Sequence, residues 1–121
     1  MKKLKIVVVL VVLMMLSGCI SDILSYSIVG TWNGNFQGND VVVTVTSSTS
    51  GTLKFVKSNE IYSLTVHKVG GKEYDLEYGF DSIIGWQQRT IDCIMISSST
   101  MYAEVYNQKG TKLCTSNFTK Q

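Results

Sequence analysis

The chain has 121 residues, of which 45% are hydrophobic and 17% charged, and a formal net charge of +2. That length carries one domain at most. Lys2, Lys3 and Lys5 open the chain; without them eight basic residues face nine acidic ones. The remainder therefore has no basic surplus to attract nucleic acid or to hold anionic lipid headgroups.

Residues 1–18 carry a basic start, an unbroken apolar run from Ile6 to Leu16 and a small-residue exit. These are the three parts of an export signal. The run is shorter than the roughly 20 residues that span a bilayer core. The exit, Leu16-Ser17-Gly18-Cys19, resembles the lipobox of bacterial-type lipoproteins, which some archaea share. The resemblance implies a diacylglycerol (palmitate-type chains) on the thiol of Cys19 and cleavage before it. Two acyl chains give stable membrane anchoring where one gives only marginal binding. The expected location is thus a cell membrane or outer membrane, on the extracytoplasmic side. Ile20 follows Cys19 in place of the aspartate that retains some Gram-negative lipoproteins in the inner membrane. Residues 19–27 are read as the lipidated cysteine and a short tether, and 28–121 as the folded domain.

Beyond the tether helical periodicity is missing. Short alternating segments rich in Val, Ile, Thr, Tyr and Phe are separated by Gly, Ser, Asn and Asp clusters, the signature of hairpin-linked strands. Eight are predicted: 28–37, 40–47, 52–58, 61–69, 72–80, 86–96, 100–107 and 110–119. Gly70-Gly71 marks a two-residue hairpin, and 81–85 (DSIIG) a longer connection. In the fifth strand Tyr74, Leu76, Tyr78 and Phe80 alternate with Glu73, Asp75, Glu77 and Gly79. One face is apolar and the other acidic, as in a half-buried antiparallel strand. A meander of eight such strands closes to remove its edges. The expected fold is all-β, a small antiparallel up-and-down barrel after an N-terminal signal helix. In so small a barrel the interior is either filled by side chains or open as a cavity.

Gly30-Thr31-Trp32, within IVGTWNGNF, resembles the Gly-x-Trp signature of the lipocalin and calycin group and the first strand of the avidins. The resemblance implies a tryptophan that closes one end of a barrel, with the glycine letting the strand bend. Lipocalins pack a late arginine on that tryptophan; the only arginine here, Arg89, comes too early. Avidins add further tryptophans, and only Trp86 is available.

Little in the chain supports catalysis. The one histidine, His67, shares a face with Ser63 and Thr65 and is expected in solvent, and no nucleophile motif such as G-x-S-x-G is present. Glu73, Asp75 and Glu77 lie on one strand face, which is a solvated face before it is a cation site. No metal and no cofactor is expected. Cys93 and Cys114 are candidates for a disulfide in an exported protein. With turns at 97–100 and 107–110, however, Cys93 faces Glu104 and Ala103 faces Cys114. The two thiols then lie on opposite faces with a strand between them. Two strand spacings, roughly 9.5 Å, exceed the disulfide limit of about 7 Å between Cα atoms. Asn117-Phe118-Thr119 fits the N-glycosylation triplet. Trp32, Phe36, Tyr74, Tyr78 and Phe80 are the candidates to line a ligand pocket; in a filled barrel they are core. Two functions remain. One is a lipid-anchored, non-enzymatic binding module for a small apolar ligand or an envelope partner. The other is a structural or inhibitory surface protein with no cavity.

Overall fold

A computed structural model describes residues 26–121. The signal segment 1–18, Cys19 and most of the tether lie outside the described residues. The strands are β1 (Gly30–Phe36), β2 (Asn39–Val45), β3 (Ser50–Phe55), β4 (Glu60–Lys68), β5 (Glu73–Ser82), β6 (Gly85–Met95), β7 (Thr100–Asn107) and β8 (Lys112–Lys120). Each pairs antiparallel with the next, and β8 returns to β1, closing an eight-stranded up-and-down barrel. Among the described residues no helix is long and apolar enough to cross a membrane.

Alternation builds the core. Trp32, Val43, Leu53, Leu76, Ile91, Cys93, Met101 and Ala103 are fully buried, each from an inward position. Tyr74, Leu76 and Tyr78 point inward on β5, while Glu73, Asp75 and Glu77 face out. Gly34 exists for packing: a Cβ there would lie 2.5 Å from the Phe118 ring. Gly30 takes φ +142°, a backbone conformation that side-chain-bearing residues rarely adopt.

The turns differ from expectation in two places. DSIIG is a tight hairpin, with Ser82 opposite Gly85 and only Ile83 and Ile84 between the strands. Gly70-Gly71 sits instead in a four-residue loop, where the amides of Val69 and Gly70 both donate to the Glu73 carbonyl. The β2–β3 and β6–β7 turns share one serine device. Ser47 Oγ accepts from the amides of Thr49 and Ser50 at 3.2 Å. Ser97 Oγ accepts from those of Ser99 and Thr100 at 3.2 and 3.1 Å. Such side-chain turns fix the loop without glycine or proline.

The Ser97 turn moves the register by one residue. Cys93 faces Ala103, not Glu104, and Ala103 faces Ser116, not Cys114. The same β7–β8 register carries on to Val105 opposite Cys114 and shifts by one residue only beyond it, at Tyr106. Cys93 and Cys114 therefore lie on the same, inward face, which corrects the expected opposite faces. They are both free all the same. β7 still separates them, and Cys114 is level with Val105 and Ile91 rather than with Cys93.

The barrel has two unlike ends. At the tether end lie Tyr26, Ile28 and the start of β1. At the other end, the mouth, lie the β1–β2, β3–β4, β5–β6 and β7–β8 turns. Two seams lose their ladders toward the mouth. β4 and β5 pair only from Thr65↔Glu77 to Lys68↔Tyr74. β1 and β8 pair at Trp32↔Lys120 and Asn33↔Thr119. Further up, the Asn35 amide donates to Ser116 Oγ at 3.0 Å instead.

Candidate functional site

The five aromatic candidates divide between the two ends. Alternation places Trp32 with Phe36, and Tyr74 with Tyr78, on one face. Four residues of strand, however, separate each pair by roughly 13 Å along the chain. A shared face is therefore not a shared level, and the five do not form one site.

Trp32 and Tyr74 belong to the tether end. The indole Nε1–H of Trp32 donates to the Ile28 carbonyl at 2.8 Å, in a buried position. Tyr74 Oη–H donates to the Tyr26 carbonyl at 3.2 Å. Both rings fasten the incoming chain to the barrel. Lys120, in β8, holds its ammonium 5.3 Å from the centre of the Trp32 ring and donates to the Ser27 carbonyl at 3.3 Å. A late cation does pack on the tryptophan, and it is a lysine that reading for arginine missed. None of the four clefts described reaches Trp32. Of the two alternatives left open for Trp32, a pocket wall or a plug in a filled core, its full burial within the core cluster fits the plug.

Phe36, Tyr78 and Phe80 belong to the mouth. They join a chain of ring contacts around it: Phe118–Phe36 at 5.7 Å, Phe36–Phe55 at 6.3 Å, Phe55–Tyr62 at 5.9 Å and Tyr62–Tyr78 at 5.5 Å. Phe80 stacks on Tyr78 at 6.2 Å. These rings occupy the space where the β4–β5 and β1–β8 ladders stop. They leave a cleft of about 180 Å³ lined by Phe36, Phe55, Tyr78, Val105, Leu113 and Cys114 together with the polar Gln37, Asn39 and Arg89. Arg89 stands on the inward face of β6, in step with Ile91 and Cys93. Its guanidinium lies 5.0 Å from the centre of the Phe80 ring. Burial pushes the Tyr78 hydroxyl up to about 12, against the opposing charge of Arg89. Burial also raises the thiol of Cys114 and, far more, that of Cys93. Neither cysteine is thus an activated nucleophile.

The outer wall holds a wider, shallower cleft of about 570 Å³ over β5–β7, lined by Asp75, Gln88, Thr90, Asp92, Tyr106 and Gln108 among others. Register lines up Asp75, Asp92 and Glu104 across it. Partial burial, then the charge and hydrogen bond of Asp75, raise the Asp92 carboxyl above its ordinary range. Asp92 Oδ1 is buried without a partner. Glu104 is held low by hydrogen bonds from Tyr106, Lys112 and Tyr102. His67 is exposed as expected and lies 3.6 Å from Glu77. Among the described residues no group of His, Cys, Asp and Glu side chains is placed to hold a metal ion. Asn117 is exposed on β8.

Ile83 and Ile84 stand fully exposed at the apex of the β5–β6 hairpin, with Trp86 59% exposed behind them. The available signal was two β-branched apolar residues where a turn calls for Gly, Asn, Asp or Ser. No protein-family model, curated protein or solved structure matches this chain.

Proposed function

We propose that this is a lipid-anchored cell-envelope protein whose barrel is a non-enzymatic binding module, working from the mouth and not from the Trp32 end. One observation carries the reading: the ring chain around the mouth stops short of filling it, leaving the cleft beside Phe36, Phe55 and Tyr78. Phe36 and Tyr78 are buried in the wall beneath, while Phe55, Arg89 and Cys114 are half-buried at its edge, so the cleft opens over a packed aromatic floor. The cleft is smaller than the roughly 300 Å³ of a drug-sized site. It suits one ring or a short acyl chain, with any remainder of the ligand outside.

Cys114 is a built-in reporter, being half-buried in the cleft while Cys93 is fully buried. The test is the rate of Cys114 labelling by a thiol reagent in soluble 20–121, with increasing benzyl alcohol. The barrel's ladders and core lie within residues 26–121, so this chain keeps every described contact. Saturable protection that Leu113→Trp abolishes, in a variant that stays folded, supports the reading. Labelling that no small apolar probe slows would sink it and leave the filled-core alternative.

A second reading rests on the Ile83–Ile84 apex, which lies at the same end. An envelope protein could take this tip as an anchor. Ile83→Asp with Ile84→Asp would then abolish capture of that partner by the membrane-bound protein while leaving the fold intact.

A further inference from the structure

Arg89 is the residue that the barrel's packing does not explain. Alternation turns it inward, opposite Tyr78 on β5 and Asn107 on β7. An inward position at the rim of an apolar barrel is a costly place for a charge unless something answers it. Among the described residues no carboxylate pairs with it; half-buried, it meets one backbone carbonyl and one aromatic face. The ion pairs there are His67–Glu77 and Lys112–Glu104. Of the carboxylates toward the mouth, Asp40 accepts from Asn35 Nδ2 at 2.9 Å and Glu60 from Ser58 Oγ at 3.2 Å, while Asp81 sits on the outward face opposite Trp86 and makes no ion pair with Arg89. One guanidinium nitrogen, Nη1, donates to the carbonyl of neighbouring Gln88 at 3.2 Å. A guanidinium has five N–H donors in a planar fork, so most of them remain unused. The Phe80 ring, its centre 5.0 Å from the guanidinium carbon, lies beside it.

We infer that the mouth cleft takes a small carboxylate carrying one planar ring or a short acyl chain, with the head paired to Arg89 and the apolar part against Phe36, Phe55 and Leu113. This deepens the mouth-binding reading and rests on it. A planar fork matches a carboxylate through two parallel hydrogen bonds, which a lysine does not offer. Tyr78 adds a second donor: its hydroxyl stays protonated at neutral pH and has no hydrogen-bond partner among the described residues. The small volume limits what is enclosed. A benzoate-sized group fits, and a longer acyl carboxylate would leave its tail outside.

The test is a ¹H–¹⁵N NMR titration of soluble 20–121 with benzoate and, separately, with benzyl alcohol, its neutral counterpart, read at the Arg89 Nε–H and the surrounding amides. Benzoate should bind at least tenfold more tightly, and its affinity should fall as salt is raised. Arg89→Gln should abolish both the preference for benzoate over benzyl alcohol and its salt dependence. The salt series on the unmutated protein tests the charge even if the variant does not fold. Equal or tighter binding of benzyl alcohol would overturn the anion assignment and leave the mouth reading standing. Binding of neither probe would overturn both.

Discussion

Trp32→Phe isolates the physical role of the residue that the sequence makes most conspicuous. The substitution keeps an aromatic ring but removes the indole N–H that reaches the Ile28 carbonyl at 2.8 Å. Ile28 is itself 2% exposed, so water does not replace the lost donor. A buried acceptor left without its partner costs about 1–3 kcal/mol. The smaller ring adds a void worth on the order of 1 kcal/mol. The Lys120 ammonium over the ring loses part of an attraction that is worth about 0.5–1 kcal/mol at such sites. The sum is about 3 kcal/mol. For a domain of this size each kcal/mol shifts Tm by roughly 4–8 °C, so the melting point should fall by about 12–24 °C. Thermal unfolding followed by circular dichroism measures it. Limited proteolysis near residues 26–29 should rise in parallel, because Ile28 loses its fastening. A fall of less than about 4 °C, the range of 1 kcal/mol, would refute the idea that Trp32 closes the tether end through this bond.

Three further outcomes follow from the packing and the charges. Gly34→Ala puts a Cβ 2.5 Å from the Phe118 ring. Phe118 is 1% exposed and already against Phe36, so overpacking should cost about 1–3 kcal/mol, read as a lower urea midpoint with an unchanged slope. Under native conditions a thiol reagent should label Cys114 and spare Cys93 until the barrel unfolds; protection of both, or an oxidised pair, would contradict the geometry. Asp92 has its carboxyl raised in the fold by burial and by Asp75. Its contribution to stability is therefore present below the ordinary aspartate range and lost as pH climbs through the raised value. Asp92→Asn should accordingly raise Tm at pH 7, with the gain shrinking toward pH 3; a gain that grows on acidification would reverse the assignment.

The strand count, closure and inward face of β5 were legible because alternation has period two and a half-wet sheet enforces it. Level along the barrel was not legible. Trp32 and Phe36 share a face in any reading of IVGTWNGNF, yet one fastens the tether and the other lines the mouth. Register failed between β6 and β7 for a local reason. Ser97 fixes the turn with its own hydroxyl, and the shift of one residue reverses which face a side chain takes. That shift brought Cys93 and Cys114 to one face. DSIIG read as a longer connection because isoleucines are poor turn formers, although they serve as an exposed apex. Arg89 comes too early to partner Trp32, yet parity alone puts it inside the barrel with Ile91 and Cys93. Lys120 was missed because any late cation, not arginine alone, can sit on the tryptophan face.

The most direct measurement is a chemical-shift map of ¹⁵N-labelled 20–121 saturated with benzyl alcohol. Binding from the mouth predicts shifts clustered at Phe36–Asn39, Tyr78–Phe80, Arg89 and Leu113–Cys114, with the Trp32 indole N–H unmoved. A moving Trp32 indole with a silent mouth would place the site at the tether end and contradict the account.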